Sequence, residues 1–496
     1  MLKTESQDFI QQYLAEQDRV ILVLGADKEG AVLPTQQEIL SWITEVSTRE
    51  IKPYIQNRKP VSLLDNKPKG TPVIKEKMDK ALNLTHWTLK NGVQIYAKPT
   101  TFKNDEILFS AFSKGGSSLY EDVDYYSTMN APTFIVNSGL SKLNTTQLSQ
   151  FLNAKAVQVV PYITDREEGL NGASIGRDLE TGIAMLHLYM TDAKLDTARF
   201  RMIMERSKIT MKNRVTDPKS AFSDTVANIL GNYHFRRQPT TVATLEQIRA
   251  DRVETIFKER FANASDFTFV FVGNFDLDSL KTLTEQYLGS LPVNPSREQA
   301  KDLKIRVPEG KIRKDLEIGQ GDKGTVQLVY SSKYKFNAIH NLYLDVIKET
   351  ISFRLTERLR KQESGVYSPM IQVTKAKDPL GFYALVISFD CDPKRKDELI
   401  SAVREELQKI QKEGVIQEEL GKFIAEESRK YELQAKSNQF WLSYLKGQLD
   451  KKESLDQFLR YPHLLKLLHL KEINKYCQSL SHLDNEIIVT LSPQIK

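Results

Sequence analysis

Cysteine and histidine are both scarce in this sequence of 496 residues. The two cysteines, Cys391 and Cys477, cannot form a disulfide framework or a zinc site built from several thiolates. The seven histidines stand at positions 86, 187, 234, 340, 463, 469 and 482. Neither H-E-x-x-H nor H-x-x-E-H occurs among them, and His463 and His469 are spaced so that they point to different sides of a helix. The sequence therefore predicts no catalytic zinc site and two inert core thiols.

Long apolar runs, nucleophile motifs and phosphate loops are also missing. The longest strong runs, Val20–Leu24 and Phe267–Val272, fall well short of the roughly 18 apolar residues of a membrane span. The polar N-terminus has no apolar signal-peptide region, so we expect either a cytoplasmic protein or a mature or truncated piece of a longer one. No G-x-S-x-G is present, and Gly115-Gly116 is interpreted as a turn after a strand. The net charge of +6 is spread among acids, which favours a solvated surface over nucleic-acid binding.

The composition is that of a globular protein, with 40% hydrophobic and 27% charged residues. At its start the pattern indicates a helix over residues 7–18, a buried strand over Val20–Gly25 and a second helix that begins near Thr35. Prolines at positions 53, 60, 68 and 72 then mark an extended segment. We therefore expect residues 1–48 to be the tail of a preceding domain and residues 49–82 to be a linker.

Two similar units are predicted after the linker, over residues 83–292 and 309–496. The first begins with a hairpin, Trp87–Tyr96, that turns at Asn91-Gly92. Strands of the second unit are predicted at Gly324–Ser331, Val366–Thr374, Phe382–Asp390 and Glu486–Leu491, and long helices at Ile339–Lys361 and Gln417–Leu445.

An internal repeat supports this division. The order helix, short link, buried strand occurs at Phe9–Gly25, Ile256–Gly273 and Ile473–Ser492. Helices and strands come in blocks and do not alternate strictly. The sequence therefore predicts an α+β fold in which each domain has a mainly antiparallel sheet with helices packed on one face.

One constellation of residues has the chemistry of a binding site. Gly365 is expected to end the long helix, which places Arg360 on its last turn and Tyr367 at the entrance of the next strand. A guanidinium and a phenol brought together there could hydrogen-bond a peptide carbonyl or carboxylate. A purely structural interpretation is also open, because arginine at a helix C-terminus favours the helix dipole.

The stretch Leu359–Ser368 has the form L-R-x(4)-G-x-Y-S. It resembles the motif in the second half of the pitrilysin/insulinase-type zinc peptidases, the inverzincins. The hairpin Trp87–Tyr96, the turn Phe112–Ser117 and the strand Val270–Phe275 resemble further parts of the same proteins, and the similarity extends over essentially all of the chain.

The resemblance implies a four-domain protein whose first domain binds zinc through H-x-x-E-H and a downstream glutamate, and whose last two domains form a metal-free half. This chain looks like that C-terminal half with the end of the second domain attached. The zinc motif would fall near Met129, Pro132 and Thr133, none of which binds zinc, and Pro132 is expected to disturb the helix. Glu205 stands where the third ligand is sought, but one carboxylate cannot hold the metal.

In that family the arginine and tyrosine of the motif bind the substrate across the chamber, and the resemblance assigns this role to Arg360 and Tyr367. It implies the catalytically silent, substrate-binding half of a zinc metalloendopeptidase that cleaves peptides or unfolded proteins in a closed chamber. Zinc and the catalytic half would lie elsewhere in the same polypeptide, in the periplasm. The alternative is a structural or assembly protein of the same fold without a proteolytic role.

Overall fold

The structure is a computed structural model that describes residues 9, 13, 19–25, 30, 32–50, 62–214, 217–366, 368–479 and 485–494. The chain divides into two compact units, Met1–Pro60 and Val61–Lys496. In the first unit helix α1, Gln36–Thr48, begins at a capping box, since the Glu38 amide donates to Thr35 Oγ1 at 3.3 Å and the Thr35 amide donates to Glu38 Oε2 at 2.7 Å.

The buried strand predicted over Val20–Gly25 is wrong. Val20, Leu22 and Leu24 are largely exposed and form no regular element, because no described segment of this unit offers them a strand to pair with. The helix predicted at residues 7–18 lies outside the described residues except for Phe9 and Tyr13, which are helical.

The second unit contains a seven-stranded sheet followed in sequence by a five-stranded sheet. The strands of the first sheet are β1 (Val73–Asp79), β2 (Leu84–Leu89), β3 (Gln94–Pro99), β4 (Ile107–Lys114), β5 (Val157–Ile163), β6 (Glu167–Ser174) and β7 (Thr268–Gly273). Its accompanying helices are α2 (Tyr125–Val136), α3 (Thr145–Leu152), α4 (Leu179–Thr191), α5 (Thr197–Arg214), α6 (Pro218–Leu230), the single turn α7 (Val242–Leu245), α8 (Ala250–Phe261) and α9 (Leu277–Tyr287).

The second sheet and its helices follow the same plan. Its strands are β8 (Lys311–Glu317), β9 (Gly324–Lys333), β10 (Met370–Ala376), β11 (Phe382–Cys391) and β12 (Glu486–Ser492). Its helices are α10 (Ala338–Leu355), α11 (Lys396–Glu413), α12 (Gln417–Gln434), α13 (Asn438–Lys451), α14 (Gln457–Lys466) and α15 (Leu470–Ser479).

The two sheets repeat one topology. The first has the order β1-β2-β3-β7-β4-β6-β5 and the second, read from its opposite end, β8-β12-β9-β11-β10. In each sheet one pair is parallel, β3 with β7 and β8 with β12, and the other described pairs are antiparallel. The predicted α+β class is confirmed, and the second and third predicted helix–strand repeats correspond to α8–β7 and α15–β12. The domain boundaries at residues 83, 292 and 309 stay a prediction.

One helix of each repeat packs against the sheet of the other repeat. The repeats' own helices cover one face of each sheet, as predicted. On the other face of the first sheet, Trp441 and Leu445 of α13 pack against strand residues that include Phe112 and Val270. Helix α6 does the same for the second sheet, where Ile229 joins a buried cluster of β9, β11 and β12 residues. Neither sheet completes its core without the other repeat, so the two should unfold together.

Some elements differ from the sequence predictions. Strand β1 lies inside the predicted linker, and the hairpin β5–β6 is not predicted, because the charges of β1 and Pro161 in β5 hide the alternation typical of strands. The long helix predicted over Gln417–Leu445 is two helices, α12 and α13, separated at Ser437, whose hydroxyl caps α13. Within the described residues, no helix has the length and apolarity of a membrane span.

Candidate functional site

The segment that carries the predicted motif leaves the long helix through a widened turn. Helix α10 ends at Leu355, and a π-helical turn continues over Thr356–Gln362. Leu359 is fully buried in the core of the second sheet, and Val366 is buried in the same core. The six residues between them are therefore held at both ends and presented at the surface. Turns of π geometry are often found at functional sites.

The turn ends with a left-handed residue followed by a tightly packed glycine. The helical path ends at Gln362, shortly before the Gly365 that was expected to end it, and Ser364 is the left-handed residue of the turn, with φ of 48°. Gly365 has a different role: its amide donates to the Leu359 carbonyl at 3.1 Å, and a Cβ built on it would lie 2.8 Å from Leu399 Cδ2. Glycine is needed here because the turn lies directly against the core residue Leu399, which is fully buried.

Two arginines fix the turn through Glu363. Arg395 donates from Nη1 to the Glu363 carbonyl at 3.0 Å, and Arg358 Nη2 lies 3.2 Å from the Glu363 carboxylate. One turn earlier, Arg354 makes a two-pronged ion pair with Glu419 of α12 at 2.7 and 2.8 Å. Although burial opposes it, this pairing holds the pKa of Glu419 below its usual range. The turn is thus preorganised by charge-assisted bonds on the side facing the protein.

Of the two predicted substrate-binding residues, the structure describes Arg360 alone. Arg360 lies on the π-helical turn and is exposed, so its side chain starts from the surface and not from the core. Tyr367 lies outside the described residues. The strand expected to begin at Val366 begins at Met370 instead, because Val366 packs into the core and Pro369 has no amide to give to a ladder. That Arg360 and Tyr367 act as a pair stays a prediction.

A surface cleft of about 650 Å³ borders the motif. Gly365 and Ser368 contribute to it from the motif. The remaining lining residues are Asp322, Lys323, Asp390, Cys391 and Asp392. The motif therefore adjoins open space in which an extended chain could lie beside it.

Helix α2 occupies the place where the zinc motif of an active domain is expected. Met129 is partly buried against the core, Pro132 is buried and Thr133 is exposed. The helix continues through Pro132 to Val136, so the proline does not end it. Packing against β5 and α8 holds the helix together there, and tertiary contacts of this kind override local propensity. A thioether, a proline ring and a hydroxyl cannot replace the imidazole and carboxylate ligands of zinc.

The candidate third ligand, Glu205, lies on a different helix from Met129, Pro132 and Thr133. Glu205 on α5 is exposed and lies 3.4 Å from Lys208. No group of three or more His, Cys, Asp or Glu side chains in the described part of the chain is arranged to hold a metal ion.

Comparison with known proteins identifies a family match that includes the motif. The family model described as the peptidase M16 inactive domain matches residues 247–426, a range that includes the motif Leu359–Ser368 and leaves out α2. Residues 247–426 are the part of the chain that this match assigns to an M16 inactive domain. The resemblance to the non-catalytic half of pitrilysin-type zinc peptidases is thereby confirmed.

Curated relatives and solved structures extend the similarity over most of the chain. A zinc protease PQQL-like protein of Arabidopsis thaliana is 25% identical over 438 residues, which cover 84% of this chain and 43% of that protein. The structure of the periplasmic protease PqqL from Escherichia coli is similar with a TM-score of 0.78 at 19% identity, over 93% of this chain and 51% of that one. Pitrilysin has a TM-score of 0.63 at 12% identity, over 86% of this chain and 46% of its own. This chain spans about half the length of the curated relatives it matches.

Both cysteines and the carboxylate of Glu168 are buried. Burial raises the pKa of the Cys391 and Cys477 thiols to about 11, in agreement with the predicted inert core cysteines. Sequence reasoning missed Glu168 on β6, whose carboxylate accepts the Gly116 amide at 2.6 Å. Burial raises its pKa to about 7, although Arg260 opposes this shift. The pair Glu167-Glu168 at the start of a strand gives no signal that one of the two carboxyls is buried.

Proposed function

We propose that this chain is the substrate-binding, catalytically silent half of a zinc metalloendopeptidase. The observation that carries the proposal is the motif Leu359–Ser368, held in a preorganised turn within a segment that matches the M16 inactive domain. Relatives of this chain are zinc proteases roughly twice its length. They favour a proteolytic role over the structural or assembly role that the sequence left open.

Arg360 would act as a hydrogen-bond donor to the substrate backbone. Its position on a turn anchored by Leu359 and Val366 limits the entropy lost when the guanidinium engages a peptide. Tyr367, seven residues further on, would add a phenol donor. Two such donors, placed before the substrate arrives, orient a peptide and stabilise charge that develops on its carbonyl oxygen.

The catalytic half would supply zinc, which polarises the scissile carbonyl and activates water when it is bound. This chain would contribute neither ligands nor the general base, because Met129, Pro132 and Thr133 replace them in α2. Its partner in the reaction would be the N-terminal half of the same polypeptide. Its substrates would be peptides or unfolded proteins enclosed between the halves. The Escherichia coli relative is a periplasmic protease, and we propose the same compartment for this protein.

Elemental analysis of the purified chain, prepared without chelator, tests the silent role. We expect no stoichiometric zinc, because the positions of the zinc motif carry residues that cannot ligate it. A fluorogenic unstructured peptide added to the same preparation should remain uncut. One tightly bound zinc per chain, or hydrolysis that chelators abolish, would contradict the proposal.

A further inference from the structure

Strand β10 is an unprotected sheet edge next to the motif. It begins at Met370, two residues after Ser368, and in the described part of the chain it pairs with β11 alone. In an antiparallel pair every second residue turns its N–H and C=O groups away from the partner strand. No backbone hydrogen bond to these outward groups is formed by the described residues. The edge can therefore accept another strand.

The other three sheet edges are guarded. Strand β1 exposes Lys75, Glu76 and Lys77, and β8 exposes several charged residues along its length. Strand β5, which takes the place of β10 in the first sheet, contains Pro161. Charges and prolines are the usual means by which proteins prevent edge-to-edge pairing.

Strand β10 lacks both devices. Its exposed side chains are Met370, Gln372 and Thr374, all uncharged, and Met370 is 58% exposed. Its one charged residue, Lys375, does not guard the edge, because its ammonium pairs with Asp345 of α10 at 2.5 Å. Strands β5 and β10 are equivalent edges of the two sheets, and β10, which adjoins the motif, is the one without a proline or an unpaired charge.

We propose that β10 binds an extended, uncharged segment of the peptide substrate as an added strand, leading it to Arg360. This inference rests on the proposed function. Seven strand residues span about 24 Å, enough for a peptide of similar length. Backbone hydrogen bonds would give affinity without strict sequence preference. The uncharged side chains of Gln372 and Thr374 would accept any neutral side chain of the peptide.

Backbone N-methylation of a peptide tests strand addition directly. The probe is fluorescein-labelled Thr-Gln-Val-Thr-Gln-Val-Thr, titrated with the 496-residue chain and followed by fluorescence anisotropy. Two analogues carry N-methyl groups on alternate residues, in one register or the other. We expect one register to bind at least about tenfold more weakly, because its amides face β10, and the other to bind as the parent does.

A matched pair of variants locates the binding strand. Gln372→Glu on β10 should raise the affinity for a probe with a central lysine relative to one with a central glutamate by about threefold or more. Gln158→Glu makes the same change on the exposed face of β5, the guarded equivalent, and should leave that ratio unchanged.

Three results would overturn the inference: equal binding of both N-methylated analogues, equal behaviour of the two variants, or no saturable binding of the parent probe. A dimer that Gln372→Glu dissociates without altering peptide affinity would also overturn it, since the edge would then serve a second copy of the chain. If both N-methylated analogues bind as the parent does, but Arg360→Ala weakens binding of the parent probe, then strand addition to β10 is excluded while the proposed function stands.

Discussion

The packing of Gly365 allows one prediction to be developed from distances. In Gly365→Ala the new methyl group would lie 2.8 Å from Leu399 Cδ2 and 3.1 Å from Arg395 Nη1. Leu399 is fully buried and Arg395 is held by Glu363 and Glu398, so neither can move away freely. Overpacking of this kind costs about 1–3 kcal/mol. We therefore expect the free energy of unfolding to fall by that amount.

Urea unfolding followed by circular dichroism measures this change. Gly421→Ala is the matched control, because Gly421 lies on the exposed face of α12 with nothing within 4 Å of the added methyl group. It should raise the free energy of unfolding by about 0.5–1 kcal/mol, since alanine is the better helix former. If Gly365→Ala is as stable as the unchanged chain, the turn does not pack as described and its preorganisation fails with it.

Two further predictions concern stability. Trp441→Ala and Ile229→Ala each remove a side chain that completes the core of the other repeat's sheet. Each should lower the free energy of unfolding by about 2–5 kcal/mol, in a single transition that fluorescence and circular dichroism report alike. Two separate transitions would contradict the reciprocal packing. Burial raises the pKa of Glu168 from 4.5 to about 7. The stability that its protonated carboxyl gives to the folded state is therefore fully present below pH 4.5 and is lost as the pH rises through 7. Urea midpoints across this window should fall less for Glu168→Gln, and parallel curves would refute the shift.

Local signals in the sequence predicted much of the fold. Asn91-Gly92 marks the first hairpin, where Gly92 has a φ of 91°, and α1 begins after Thr35 as predicted. These features succeed because a capping side chain or a positive φ depends on a few neighbouring residues.

Features that depend on distant contacts could not be predicted in the same way. The reach of α6 and α13 onto the opposite sheets follows from tertiary packing, and Pro132 stays helical for the same reason. At the site, the sequence indicated the motif and predicted that Gly365 ends the helix. The π-helical path ends at Gln362 and the left-handed residue is Ser364, so the glycine is explained by its packing against Leu399.

The central claim is that this chain binds substrate through Arg360 and leaves catalysis to another half. The most direct measurement is kcat/KM on an unstructured peptide in the full protein, with both halves joined, for Arg360→Ala and for the adjacent control Lys361→Ala. Lys361 is exposed on the same turn and pairs with Glu357 on the surface. We predict a loss of about 10²–10³ for Arg360→Ala, with unchanged stability and a near-normal control. Equal kcat/KM for both variants and the unchanged protein would contradict the account.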